Sequence, residues 1–282
     1  MTEVTPGSGP ARTAWRVVGF VALVVLAVSF VLPFVWQLML SLSSLTDADR
    51  LALLGAPPEV HPESYSRVFE VIPYAKYFFN SFYVAAWVTL LQVVMSAMAA
   101  FAFSRMEWPG RDKVFLLYLA TMMIPGVVLM VPNFGVILSL GMFNTYAGLI
   151  IPAAFSAYGT FLLRQFMLGI PTSLDEAASI DGAGPFRVFF DVILPLTRPG
   201  LIVLAIFTFL GNYNSFFWPL ILTKDDNLRT LPIGLRAFDS SYGVDTPALM
   251  AASLMAMIPP IIIFVFLQRY LVKGIQLGAV KG

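Results

Sequence analysis

The sequence predicts an all-α membrane protein of six transmembrane helices, and three observations carry that prediction. Hydrophobic residues make up 59% of the chain and charged residues 12%, against roughly 45–50% and 25% in soluble domains. The charges are not scattered: uncharged runs occupy residues 17–46, 77–104, 114–163, 199–223 and 246–268. A central Asp, Lys or Arg costs a span roughly 2.5–3.5 kcal/mol, and about 20 residues cross a bilayer. Each run is therefore long enough for a span, and 114–163 is long enough for two. The expected spans are about 17–42, 77–104, 114–131, 146–164, 199–222 and 247–268, in one membrane domain covering 17–272.

Residues 1–16 are rich in Gly, Pro, Thr and Ser and are expected to be a disordered tail. The apolar run after Arg16 exceeds the ~7–15 residues of a signal-peptide core, so it reads as a retained first span. Within 114–163 the turn formers Pro132-Asn133, Gly141 and Asn144 to Gly148 divide spans three and four. Pro125-Gly126 in span three and Pro259-Pro260 in span six interrupt the helical hydrogen-bond ladder, as hinges or as static kinks. Six spans leave both termini on one side. Placing them in the cytoplasm puts 11 of the Lys and Arg residues inside and 6 outside, the sense of the positive-inside rule. The outer loops are then Ser43 to Lys76, with Pro57-Pro58 and Pro62, and Lys224 to Asp245. The lone His61 in the first of these reads as a solvated side chain.

Composition also excludes chemistry. No Asp, Glu, Lys, Arg or His interrupts the interior of a predicted span, whereas ion-coupled carriers place such residues there as relays. There is no G-x-x-x-x-G-K-[ST] loop to cradle ATP phosphates. With no Cys there is no thiolate metal site or disulfide, and no intramembrane His, Cys or Asp stands ready to activate a Ser. A net charge of +1 gives no basic surface for nucleic acid. The chain reads as non-catalytic, so any energy source belongs to a partner docked on the cytoplasmic face.

The cytoplasmic loop between spans four and five, residues 173–195, is the most structured connection. Ser173 followed by Glu176 is a capping-box pattern that predicts a short helix. Gly182 suits the left-handed residue that ends it, and Gly184-Pro185 opens a second helix running through Phe189 to Leu194. Ala177 and Ala178 would let another protein approach closely, with Glu176 and Asp181 offering charge. Read alone, this is equally a capped amphipathic loop on the membrane surface.

The spacing of Glu176-Ala177-Ala178, Gly182 and Val192-Ile193-Leu194-Pro195 resembles the signature loop of the membrane subunits of bacterial ABC importers, with Val192 where that family usually has Ile. The end of the chain, Gln268 to Gly274 and Gly278-Ala279-Val280-Lys281-Gly282, is similar to the C-terminus of the carbohydrate-importing, maltose-type branch; as a bare sequence it is a basic tail against lipid. Asn80-Ser81, Met123-Ile124-Pro125, Asn144-Thr145 and Leu231-Pro232-Ile233-Gly234 extend the similarity along nearly the whole chain.

The resemblance implies the type I importer permease fold with a cytoplasmic coupling helix. It implies a second homologous permease as heterodimer partner, two ATPase subunits that bind the ATP and Mg while this chain holds no cofactor, and an extracytoplasmic solute-binding protein. It further implies a bacterial inner-membrane location and a carbohydrate cargo. Glu176, Ala177, Ala178, Asp181, Gly182, Leu194 and Pro195 would meet the ATPase, and Gln276, Gly278 and Lys281 of the tail, residues 273–282, would reach into the ATPase pair. A polyol, glycerol phosphate ester or amino sugar is the alternative cargo, and a self-contained channel or carrier the alternative class.

In span five, Gly211, Asn214, Ser215 and Trp218 recur at helical spacing and form a candidate substrate path. Amide, hydroxyl and indole suit a sugar. The same residues equally suit helix-to-helix contact in lipid.

Overall fold

The computed structural model describes residues 10–44, 60–240 and 243–279. The described residues are mostly helical, and the chain falls into two compact units, Met1–Val71 with Phe238–Met255, and Ile72–Ala237 with Ala256–Gly282.

In the first unit α1 (Pro10–Ser41) is exposed along residues 14–36, as expected of a helix whose solvent is lipid. It starts earlier than the sequence suggested: residues 10–16 of the expected disordered tail are helical. Proline is pre-set for a first helical position, and the Ala and Arg residues that follow are strong helix formers. The rest of that tail, 1–9, lies outside the described residues, as does Pro57-Pro58 of the first outer loop. That loop contains a helix the periodicity did not reveal, α2 (Glu63–Val71). Ser41 Oγ and Tyr65 Oη are 3.0 Å apart, and Arg67 Nη1 donates to Asp245 Oδ2 at 3.1 Å. A two-residue antiparallel ladder, Asp239–Ser240 with Gly243–Val244, precedes the helix Thr246–Ala256.

The second unit is organised around α3 (Tyr74–Arg105), which corresponds to predicted span two. The 114–163 run does not form two straight helices. α4 (Arg111–Ala120) and a single tight turn, Thr121–Met123, stop before Pro125-Gly126, and α5 (Met130–Ser139) follows. Pro132 therefore sits in the first turn of a helix, where its missing N–H has no partner to lose, rather than at the predicted turn. The reversal falls at Gly141 and Asn144, at φ +66° and +56°; Asn tolerates this left-handed state better than other side chains. α6 (Tyr146–Ile150) and the turn Pro152–Ala154 then bend by 41° into α7 (Ala157–Leu168). Thr145 and Ser156 cap the restarted segments by accepting from Gly148 N at 3.1 Å and Gly159 N at 3.0 Å.

After α8 (Ser173–Ile180) come α9 (Arg198–Tyr213) and α10 (Phe217–Leu222), which divide predicted span five. Thr246–Ala256 is α11, and α12 (Ile258–Ala279) is the last described element. Among the described residues three helices are individually long and apolar enough to cross a membrane: Ala14–Ser41, Tyr74–Arg105 and Thr246–Arg269. Two bent pairs, 146–168 and 185–213, raise the number to five.

Two features of α3 explain its central place. Ala97, Ala100 and Phe101 pack with Leu163 and Met167 of α7, Leu204 of α9, and Val188, Phe189 and Ile193. Near its other end Asn80 Nδ2 donates to the carbonyls of Asn227 (2.9 Å) and Arg229 (2.8 Å), and the Tyr146 hydroxyl donates to Asn80 Oδ1 at 2.7 Å. Ser81 Oγ accepts from Leu231 N at 2.8 Å. Asn144 Oδ1 accepts from the backbone of Lys224 and Asp225. The short polar motifs of the sequence thus pin the 224–231 connection to the helices and satisfy its backbone groups.

Candidate functional site

The loop 173–195 forms the predicted two-limbed knuckle, although its first turn differs. A capping box needs an extended N-cap residue. Thr172, which precedes α8, is already helical at φ −67° and ψ −22°, and its side chain makes no capping bond. Ser173 is thus inside the helix and cannot cap it. Asp175 in that first turn is held by Arg105 instead.

The exit of α8 follows expectation. Gly182 stands at φ +81°, Gly182 N donates to Ser179 O at 3.0 Å and Ala183 N to Ala178 O at 2.9 Å. This pair of bonds is the Schellman closure of a helix end. The second limb runs Pro185–Arg187, a wider π-helical segment Val188–Ile193, and Leu194–Leu196. The ladder is re-spaced just ahead of Pro195, which has no N–H for the carbonyl of Asp191. Single π segments concentrate at functional sites.

Glu176, Ala177, Asp181 and Gly182 are exposed, and Ala178, Leu194 and Pro195 are half-buried toward the core. Between them the apolar side chains of Ile180 and Phe186 are 86% and 77% exposed. An exposed apolar pair framed by carboxylates on a rigid double helix is the chemistry of a protein-docking surface.

Beneath the knuckle are two arginines that the sequence reading used only for orientation. Arg105, whose side chain is 5% exposed, donates to Asp175 Oδ2 at 2.8 Å, to Ile170 O at 2.7 Å and to Met167 O. Arg164 of α7 reaches the other way: its Nε donates to Phe103 O at 3.1 Å, and its guanidinium carbon lies 4.2 Å from the Phe115 ring centroid. The carbonyls at the end of α3 and of α7 are thus each met by the other helix's arginine. The available signal was an Arg placed at the last turn of a span.

The candidate path changes more. A cavity of ≈ 230 Å³ is lined by Val84, Gly126, Leu129, Asn133, Gly148, Leu149, Pro152, Ala153, Asn212, Ser215, Trp218, Pro219 and Leu222. Ser215 and Trp218 line it, whereas Gly211 and Asn214 do not and are exposed. The reason is the break after Tyr213, which ends the helical periodicity on which the four-residue face depended. Asn133 and Asn212 are the polar residues that this periodicity missed. No charged side chain lines the cavity.

Of the predicted tail contacts, Gln276 and Gly278 are on α12, which remains helical to Ala279, and Lys281 lies outside the described residues. No group of three or more His, Cys, Asp or Glu side chains that could hold a metal occurs among the described residues.

Apolar helices broken at prolines around an uncharged cavity, with the knuckle presented beyond them, mark the chain as a polytopic membrane protein. Residues 92–277 match the family model of the binding-protein-dependent transport system inner membrane component. The chain belongs to that family. It is 33% identical to the arabinooligosaccharides transport system permease protein AraQ of Bacillus subtilis over 97% of this chain and 98% of that protein. It is 40% identical to the sn-glycerol-3-phosphate transport system permease protein UgpE of Agrobacterium fabrum over 70% and 71% of the two chains. In fold it matches a chain in the crystal structure of a bacterial ABC transporter involved in the import of the acidic polysaccharide alginate. The TM-score is 0.83 at 22% identity, covering 94% of this chain and 99% of that one.

Proposed function

We propose that this chain is one of two homologous permease subunits, paired as a heterodimer, of an ATP-driven sugar importer in the bacterial inner membrane. The binding protein delivers the sugar from outside. Two ATPase subunits supply the energy, and ATP with Mg is bound by them alone. The chain crosses the bilayer six times with both termini in the cytoplasm, the broken segment Arg111 to Ser139 counting as one pass. Closure of the ATPases is received by Glu176, Ala177, Ala178, Asp181 and Gly182, with Leu194 and Pro195 at the base of the knuckle. It is converted into rocking of the helices and alternating access. Gln276, Gly278 and Lys281 follow the knuckle to the ATPase side.

The observation that carries this reading is the knuckle itself: Ile180 and Phe186 exposed beside Glu176 and Asp181, on a base whose Ile193 and Met167 are fully buried. Set between the carboxylates of Glu176 and Asp181, the apolar pair suits a protein partner better than lipid tails, which would leave those charges without a partner. For cargo, the names of the relatives offer an oligosaccharide and a phosphate ester. The cavity among the broken helices offers amides and an indole, which serve hydroxyls and a sugar face and favour the neutral, polyhydroxylated one there; the cations a phosphate calls for, Lys224, Arg229 and Arg236, line a separate cavity of ≈ 570 Å³ at the 224–237 connection.

The test is affinity purification of the tagged chain in mild detergent, with identification of co-purifying subunits and assay of their ATPase. A second permease and an ATPase are expected. Glu176→Lys and Gly182→Pro should insert normally yet abolish transport. Recovery of the chain alone, still moving solute in liposomes, would replace this reading with a self-contained carrier.

A further inference from the structure

We infer that Arg105 is a positioning residue that makes α8 move as one body with the ends of α3 and α7, so that displacement of the knuckle reaches the membrane helices undiminished. The inference rests on the coupling role proposed above and assigns the transmitting contact within it.

Three observations carry it. First, α8 buries none of its residues, and of its side chains only Ala178 packs against the cluster beneath the knuckle. Apolar burial anchors the second limb, through Val188, Phe189 and Ile193, and leaves the first limb without a core of its own. Secondly, the side-chain tie that α8 does have is Asp175 to Arg105 at 2.8 Å, with Arg105 5% and Asp175 21% exposed. An ion pair so shielded is screened far less than a surface pair. Thirdly, the same guanidinium donates to Met167 O and Ile170 O. One rigid planar fork therefore joins the last residue of α3, the end of α7 and the first turn of α8. A lysine is a single point charge without the fork and cannot meet these acceptors in the same geometry. Arg164, bonded back to Phe103 O, locks α3 to α7, so a push on α8 meets both helices together.

Arg105 Nε and Asp175 Oδ1 are buried with no hydrogen-bond partner. The joint is therefore held by the single Nη1 to Oδ2 contact rather than by a bidentate pair; an asparagine at 175 keeps an amide-oxygen acceptor but a bond only about half as strong as the charge-assisted one, so α8 stays seated at rest and yields under load while Arg105 keeps its two carbonyls.

The chain has no cysteine, so Ser173→Cys on α8 and Met98→Cys on α3 can carry spin labels in the purified complex, with single-label controls for partner thiols. In the wild-type background the distance between them should be the same without nucleotide and when the ATPases are trapped with ADP and vanadate. Asp175→Asn should broaden the distance distribution in the trapped state only, with ATPase activity retained, and Arg105→Lys should do the same. A merely structural contact would broaden both states alike, which would overturn the inference. So would a wild-type distance that changes on trapping, or an Asp175→Asn distribution identical to wild type. Failure to recover any ATPase would instead overturn the coupling reading, and the transmission role with it.

Discussion

The Tyr213 hydroxyl donates to the carbonyl of Ala256 at 3.0 Å, and the sequence explains why that carbonyl is available. Four residues beyond Ala256 is Pro260, which has no N–H to return to it. Regular bonding resumes with Ile261 N to Met257 O at 3.0 Å. Tyr213, 2% exposed and with its ring 5.7 Å from that of Phe209, thus fills the gap that Pro259-Pro260 opens. The carbonyl that the proline pair frees is thus braced by a side chain of α9.

Tyr213→Phe should therefore lower stability by about 0.5–2 kcal/mol, the range for an interhelical bond in lipid and for a carbonyl left unsatisfied. Thermal unfolding of the detergent-purified complex measures it. Pro260→Ala restores the missing N–H and should recover most of the loss when combined with Tyr213→Phe. Additive losses in the double variant would show that the hydroxyl serves some other partner.

A second packing relationship fixes α7 against α9. A Cβ added at Gly200 would lie 2.7 Å from Cγ and Cδ2 of the Phe166 ring. In lipid there is little hydrophobic drive between helices, so close approach at small residues supplies dispersion contact instead. Gly200→Val should cost about 1–3 kcal/mol as the ring is forced from its place. Gly211 on the same helix has nothing within 4 Å of such a Cβ. Gly211→Ala should be neutral, or stabilising by about 0.5–1 kcal/mol from reduced chain freedom. The comparison of melting temperatures in one detergent decides it; equal effects would mean that helix propensity rather than contact governs both sites.

These cases show what the linear sequence could and could not carry. Charge placement located the apolar segments, because the cost of a charge in lipid is large and local: Arg105, Arg198 and Lys224 fall at or beside element ends, and Lys113 and Arg164 within about a turn of one. Gly182 was legible because its left-handed turn needs no distant partner. The knuckle's first turn was misread because Ser173 and Glu176 fit a local rule while Asp175 had a partner 70 residues away in Arg105. The face of Gly211, Asn214, Ser215 and Trp218 failed for a related reason. Helical spacing was carried through Asn214, where the backbone leaves the helix at φ −92° and ψ 6°. Breaks at Pro125, Pro152 and after Tyr213 are what surround the cavity, and their combined geometry lies in no single window of residues.

The cavity yields the last prediction. Asn212 commits its Nδ2 to Thr208 O at 2.8 Å, which holds the side chain in one rotamer and leaves the amide oxygen as an acceptor for a sugar hydroxyl. Trp218 is half-buried against the cluster of Val84, Val88, Ile137, Leu149, Ile150 and Leu222, so its ring is supported where it lines the cavity. Asn212→Leu keeps a similar volume and removes the acceptor. With about 1–1.5 kcal/mol for one hydrogen bond to cargo, uptake should fall roughly tenfold at subsaturating sugar. Basal ATPase activity should stay unchanged, because Asn212 lies in the cavity and makes no contact with the knuckle. Trp218→Ala should reduce uptake and also loosen the packing, so Trp218→Phe is the informative partner: it keeps a stacking face and should retain part of the transport. Arabino-oligosaccharide and sn-glycerol 3-phosphate serve as probes of the two cargo chemistries. Loss of uptake for the neutral sugar on Asn212→Leu identifies this cavity as part of its path. Unaltered uptake by Asn212→Leu and Trp218→Ala together would place the path elsewhere and leave the broken helices as packing alone.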